Sequence, residues 1–140
     1  MKDVEILLRG VAMLLRGNAY SPSMVKFLNG FSQEAKSFDQ GLLVTLETLL
    51  QSFLASSSEL NREMFQVNGR FSPMVFEAVF VAVCERQYGI GDSVIGKIEP
   101  SSVVSLRTDA DFVAASQIRT TATDQVQLRI GRARELLAMV

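Results

Sequence analysis

The 140-residue chain contains no histidine, no tryptophan, one cysteine and three prolines, and its 14 basic residues almost balance its 15 acidic ones. Each shortage excludes a class of chemistry. Without histidine there is no imidazole general base, no Ser-His-Asp or Cys-His nucleophile and no histidine-containing zinc site. A single cysteine, Cys84, excludes an intramolecular disulfide framework and any CxxC pair, which suits a reducing compartment. A formal net charge of -1 argues against wrapping nucleic acid by bulk electrostatics. Long apolar runs are also missing: the longest, residues 74–84, contains Glu77 and is about half the roughly 20 residues that a membrane-spanning helix requires. At the N-terminus Asp3 and Glu5 stand where a signal peptide would carry basic residues, and Arg9 and Arg16 interrupt the apolar stretch that follows. These features predict a cytoplasmic chain with no membrane segment.

What is abundant is apolar surface: 48% of the residues are hydrophobic and the mean hydropathy is +0.21. The length predicts one helical domain over residues 1–140, large enough to remove roughly two-thirds of the unfolded surface from water. Neither a disulfide nor a structural metal is then needed for stability.

The apolar spacing predicts an all-α bundle of about six helices. Val4, Leu7, Leu8, Val11, Leu14 and Leu15 recur at helical spacing and form the stripe of a first helix, stopped by Gly17-Asn18. Ser21 as N-cap and Pro22 at the first position announce a second, carrying Met24, Phe27, Leu28, Phe31 and Ala35. Gly30 inside it suggests a close neighbour, because glycine there weakens a helix by about 1 kcal/mol. Asp39 caps a third helix with the stripe Leu42, Leu43, Leu46, Leu49, Leu50, Phe53 and Leu54.

Residues 60–70 read as a connector turning at Asn68-Gly69. Ser72-Pro73 then starts residues 74–87, apolar on nearly every face. Valine and phenylalanine lean toward strand, but the strong start signal and the length favour a central helix. Gly89, Gly91 and Gly96 make a loop with an extended piece near residues 93–98. Pro100 opens a short helix, Thr108 or Asp109 caps the next turn, and Thr121 or Thr123 starts a last helix striped by Val126, Ile130, Ala133 and Leu137.

Polar constellations are sparse. The acid pairs Asp3/Glu5 and Asp109/Asp111 stand two apart, which on a helix turns them to different sides, so capping and solvation account for them. Glu77, inside the most apolar segment, reads as a salt-bridge partner, with Arg70 or Arg62 opposite, ahead of an acid-base role. Cys84 reads as a small core hydrophobe. The glycines of residues 89–96 match neither GxGxxG nor the Walker pattern. No catalytic, metal-binding or cofactor-binding residue emerges, and no cofactor is expected. Arg119, Arg129, Arg132 and Arg134 are candidate phosphate contacts, against which stands a solvated, dipole-complementing helix end.

Several short segments match one family. Glu5-Ile6-Leu7-Leu8-Arg9 matches an E-x-x-L-R helix. Phe27-Leu28-Asn29 with Phe31 follows. Residues 71–78, Phe-Ser-Pro-Met-Val-Phe-Glu-Ala, match F-[ST]-x-x-x-F-[ED]-A, and Asp111-Phe112, Thr121, Thr123, Val126, Arg129 and Ile130 come near the end. In these segments the chain resembles the helical region of the ParB-like, DGQQR-containing family of GmrSD-type restriction and phage-defence proteins. No DGQQR motif and no HNH signature occurs, so no catalytic residue is carried over. The resemblance implies the helical half alone, as a split subunit, a truncated copy or a fragment.

The expected function is therefore a non-enzymatic interaction module of such a system. It would dock to a ParB-like subunit or self-associate, with Leu7, Leu8, Val11, Phe27, Phe31, Leu46 and Leu50 as candidate anchors. The nine phenylalanines and six methionines, hard for a bundle of this size to hide, support that expectation. The alternative is a nucleic-acid-binding helical domain using the four arginines.

Overall fold

A computed structural model describes residues 2–140, with side chains from residue 4 onward. Among the described residues the chain forms seven α-helices and one small antiparallel hairpin. The expected all-α architecture holds, with one helix more than predicted.

Helix α1 (Lys2–Arg16) ends on Arg16 in its last turn, where a cation suits the negative end of the helix dipole. Helix α2 (Met24–Ala35) starts two residues beyond the predicted Ser21-Pro22 signature. Ser23 is its N-cap and accepts from the Lys26 amide at 3.4 Å. The later start keeps the chain extended at Tyr20 and Ser23, which lets the Tyr20 ring turn into the core at 4% exposure. Helix α3 (Gln40–Ser56) is capped as predicted, Asp39 Oδ1 accepting from the Leu42 amide at 2.8 Å.

The predicted connector contains the hairpin. Strands β1 (Gln66–Val67) and β2 (Arg70–Phe71) pair Gln66 with Phe71 and Val67 with Arg70. Asn68 and Gly69 between them have φ of 53° and 74°, the left-handed conformations that a tight two-residue hairpin requires.

Helix α4 (Pro73–Gly89) resolves the strand-or-helix question for the apolar run. Ser72 accepts from the Val75 amide at 3.3 Å, Pro73 occupies the first turn, and Val75, Glu77, Ala78, Val79, Phe80, Val81 and Cys84 are all buried. A run that is apolar on every side is covered on every side, and α1 and α7 supply most of the cover. Where α1 crosses α4 the α1 backbone comes close to the rings of α4 at Gly10, whose missing Cβ would lie 3.1 Å from Phe80 and 3.3 Å from Phe76. Gly30, where a close neighbour is expected, has open space instead.

Helix α5 (Pro100–Thr108), α6 (Ala110–Ala115) and α7 (Thr123–Leu136) complete the fold. Asp109 ends α5 and caps α6, accepting from the Phe112 amide at 3.0 Å. Helix α7 starts at Thr123 with Ala122 as its N-cap and no side-chain cap. The extended piece before α5 does pair, Ile98 with Met139, and Lys97 and Val140 exchange backbone hydrogen bonds. Gly96 lies beneath that pairing at φ 88°, where a Cβ would stand 2.7 Å from the Val140 carbonyl oxygen. Around Phe76 a row of aromatic rings, Phe53, Phe65, Phe71, Phe76 and Phe80, joins the hairpin to the core through stacked and edge contacts.

Candidate functional site

Three features of the molecule combine polar chemistry or uncovered apolar surface: a buried charge cluster, the outer face of α3, and a cleft beside the hairpin.

The charge cluster is built on Glu77, whose side chain is 1% exposed in the middle of α4. Its partners are neither Arg70 nor Arg62, both of which are exposed. Arg9 on α1 donates Nε to Glu77 Oε2 at 2.5 Å, and Arg129 on α7 brings Nη2 to 4.0 Å from Oε1. Both come from the helices that cover α4, which is why sequence distance was no guide. Arg129 itself is fully buried, with Nη1 donating to the Ala115 carbonyl at 2.6 Å and Nη2 to that of Thr120 at 2.8 Å. Desolvation lowers the pKa of Arg129, with Glu77 opposing the shift. Nearby, the Tyr20 hydroxyl donates to the Thr121 carbonyl, and burial raises its pKa. Carbonyls from the end of α6 and the loop after it thus receive hydrogens from Arg129 Nη1 and Nη2, while Arg129 Nε and Glu77 Oε1 are buried without a hydrogen-bond partner.

The four arginines read as phosphate contacts do not form one free cationic face. Arg129 is inside the protein, which removes it from any surface role. Arg132 grips Asp109 with both Nε and Nη2, at 3.0 and 2.8 Å, and also reaches Glu135. Arg134 makes the same two-pronged contact with Glu85, at 2.7 and 2.9 Å. These carboxylates raise the pKa of both guanidinium groups, and Arg132 with the Phe112 amide holds Asp109 below the usual carboxylate range. Arg119 is exposed and faces Asp124 at 3.3 Å. Planar two-point pairs of this kind fix helix against helix, α7 to α4 and α7 to the α5–α6 corner.

The residues read as docking anchors are mostly spent within the chain. Phe31 is buried, Val11 and Leu50 pack against the main core, and Phe27 packs on the second core with an edge contact to Tyr20. Leu7, Leu8 and Leu46 are half-buried. The uncovered apolar positions are different ones, scattered over the surface; on α3 three of them, Leu43, Val44 and Leu54, are 45%, 50% and 56% exposed and share one helix face. The third stripe was legible in the sequence, but it is wider than the face that α4 covers.

The cleft lies between the hairpin and α4, α5 and α6, with a volume of about 210 Å³. Val67, Met74, Val75, Phe112 and Val113 give it an apolar wall, and Arg107 is its one charged lining residue. No sequence pattern singles out Arg107, a lone arginine late in a short helix.

Among the described residues no helix is long and apolar enough to cross a membrane, and no three histidine, cysteine, aspartate or glutamate side chains gather as metal ligands. Cys84 is buried, and desolvation pushes its thiol up to about 12. No family model, no curated protein and no solved structure matches the chain.

Proposed function

We propose that this chain is a non-catalytic helical interaction module of a DGQQR-type restriction or phage-defence system, docking to a ParB-like subunit through the outer face of α3. The observation that carries the docking role is the exposure of Leu43, Val44 and Leu54 on a helix whose neighbours cover only one side. Uncovered apolar side chains on one helix face, interrupted by Glu47, Thr48 and Gln51, suit a partner that supplies both apolar and polar contacts.

Support for the system comes from the motifs. The arginine of the E-x-x-L-R segment, Arg9, and the acid of the F-[ED]-A segment, Glu77, are the two halves of one buried ion pair. Two distant motifs that resemble the same family thus serve one structural purpose here.

The test is co-expression with a DGQQR-containing domain, followed by light scattering on the size-exclusion peak. A stable complex that is lost in the Leu43→Glu/Leu54→Glu variant, with that variant's circular dichroism unchanged, is the expected outcome. A chain that elutes alone beside the domain at micromolar concentration overturns the reading, and a self-associated chain whose assembly the same variant disrupts replaces the ParB-like partner with a second copy.

A further inference from the structure

Most of the buried or half-buried cations in this protein have an acid. Arg9 and Arg129 face Glu77, and Arg132 faces Asp109. Of the other cations without a carboxylate within 4.0 Å, Lys26, Lys36, Arg62, Arg70 and Arg86 are exposed to solvent, and Lys97, also exposed, donates to the Ala55 carbonyl at 2.8 Å. Among the described side chains Arg107 is the exception: it is only partly exposed and has no carboxylate. Its Nη2 is drawn down onto the Gln66 carbonyl at 2.6 Å, and its Nε is buried without any partner. A surface arginine normally lays its stem on apolar atoms and sends its head into water. Here the head is held at the cleft by β1.

The surroundings restrict what could complement it. Ser72 and Ser116 line the same cleft; the Ser116 hydroxyl donates to the Phe112 carbonyl, and Ser72, the cap of α4, accepts from the Val75 amide. The remaining wall is mostly apolar, formed by Val67, Met74, Val75, Phe112 and Val113, with Asn68 and Gln117 adding two uncharged polar side chains. At about 210 Å³ the cleft is below the roughly 300–1,000 Å³ of sites for drug-sized ligands and cofactors. An occupant must therefore be about the size of one side chain, apolar for most of its surface, and negatively charged at one end.

We propose that this cleft binds a carboxylate joined to a small apolar group, the apolar part against Val75, Phe112 and Val113 and the carboxylate on Arg107. The proposal is independent of the α3 face. Two sources offer this chemistry, a free carboxylic acid and an acidic residue beside an apolar one in a peptide, and the probes separate them.

The experiment is a titration of the full isotope-labelled chain, followed by amide chemical shifts, with 3-phenylpropionate, with uncharged 3-phenylpropionamide, and with the dipeptide Phe-Glu blocked at both ends. The expected result is saturable shifts at Val67, Val75 and Val113 with the propionate or the dipeptide, and binding of the propionamide weaker by about tenfold or more, as loss of a charge-assisted hydrogen bond implies. The stronger of the two acidic probes identifies the source, and either supports the proposal. Arg107→Gln should abolish the preference for acid over amide. Because Arg107 also holds the hairpin, Val113→Phe is the second variant: it fills the cleft, leaves Arg107 in place and should remove binding by every probe. Equal affinity for acid and amide, shifts that do not saturate, or shifts that persist in Val113→Phe overturn the proposal.

Discussion

Arg9 Nε on α1 donates to Glu77 Oε2 on α4 at 2.5 Å, across 68 residues of chain, and the carboxylate that receives it is 1% exposed. With Arg129 on the other side, one carboxylate ties together the three helices that make the centre of the fold. Two positive charges against one negative would be costly to bury, and the Ala115 and Thr120 carbonyls on Arg129, together with the partial exposure of Arg9, relieve that cost.

Removing only the acid should therefore be severe. Glu77→Leu leaves two arginines facing apolar atoms, and loss of one partner of a buried pair costs about 3–5 kcal/mol, a large part of the stability of an ordinary domain. Urea unfolding followed by circular dichroism measures it. The triple variant Arg9→Met/Glu77→Leu/Arg129→Met should recover most of the loss; a triple variant no more stable than the single one would show that the cluster acts by something other than charge compensation.

Two glycines in α-helices should respond to alanine with opposite signs. At Gly30 nothing lies within 4 Å of the new methyl, so Gly30→Ala should stabilise by about 0.5–1 kcal/mol through the helix backbone alone. At Gly10 the methyl would press on Phe80 and Phe76 at 3.1 and 3.3 Å, and overpacking of about 1–3 kcal/mol outweighs the same backbone gain. Thermal melts of the two variants should move in opposite directions, with Gly10→Val worse than Gly10→Ala.

Cys84 should be chemically silent. Its thiol, buried on α4 and raised to about 12 by desolvation, carries almost no thiolate at pH 8. A thiol reagent such as DTNB should label the native protein only at the rate of unfolding and should react at once in denaturant. Fast labelling of the native protein would contradict the burial of this site.

Asp109 should make stability depend on pH at the acid end. Arg132 and the Phe112 amide lower its pKa in the folded protein, so the unfolded chain binds the proton more readily. The stabilisation is then fully present above the ordinary carboxylate pKa of about 3.9 and is lost as pH falls toward the lowered value. Asp109→Asn keeps a capping side chain at the start of α6 but loses the charge pair. Urea midpoints of the two proteins should differ at pH 7 and converge toward pH 3; a constant gap would assign the effect to packing.

Local signals were legible without the structure wherever the physics is local. Asp39, Ser72 and Asp109 cap the helices that their positions predict, because a capping oxygen needs only an amide three residues ahead. Asn68-Gly69 turns the chain because both residues tolerate positive φ. The central place of α4 followed from its being apolar on every side. Ser21-Pro22 shows the limit, since α2 starts at Met24 behind Ser23, leaving Tyr20 turned into the core.

Local chemistry thus accounts for a helical chain without histidine, for most of its helix starts and for the identity of its innermost helix. The partners of Glu77, the burial of Arg129, the pairing of Arg132 and Arg134 with Asp109 and Glu85, and the isolation of Arg107 in its cleft were decided only by tertiary packing. An arginine carries the same charge wherever it stands, and what it does depends on which helix is laid against it.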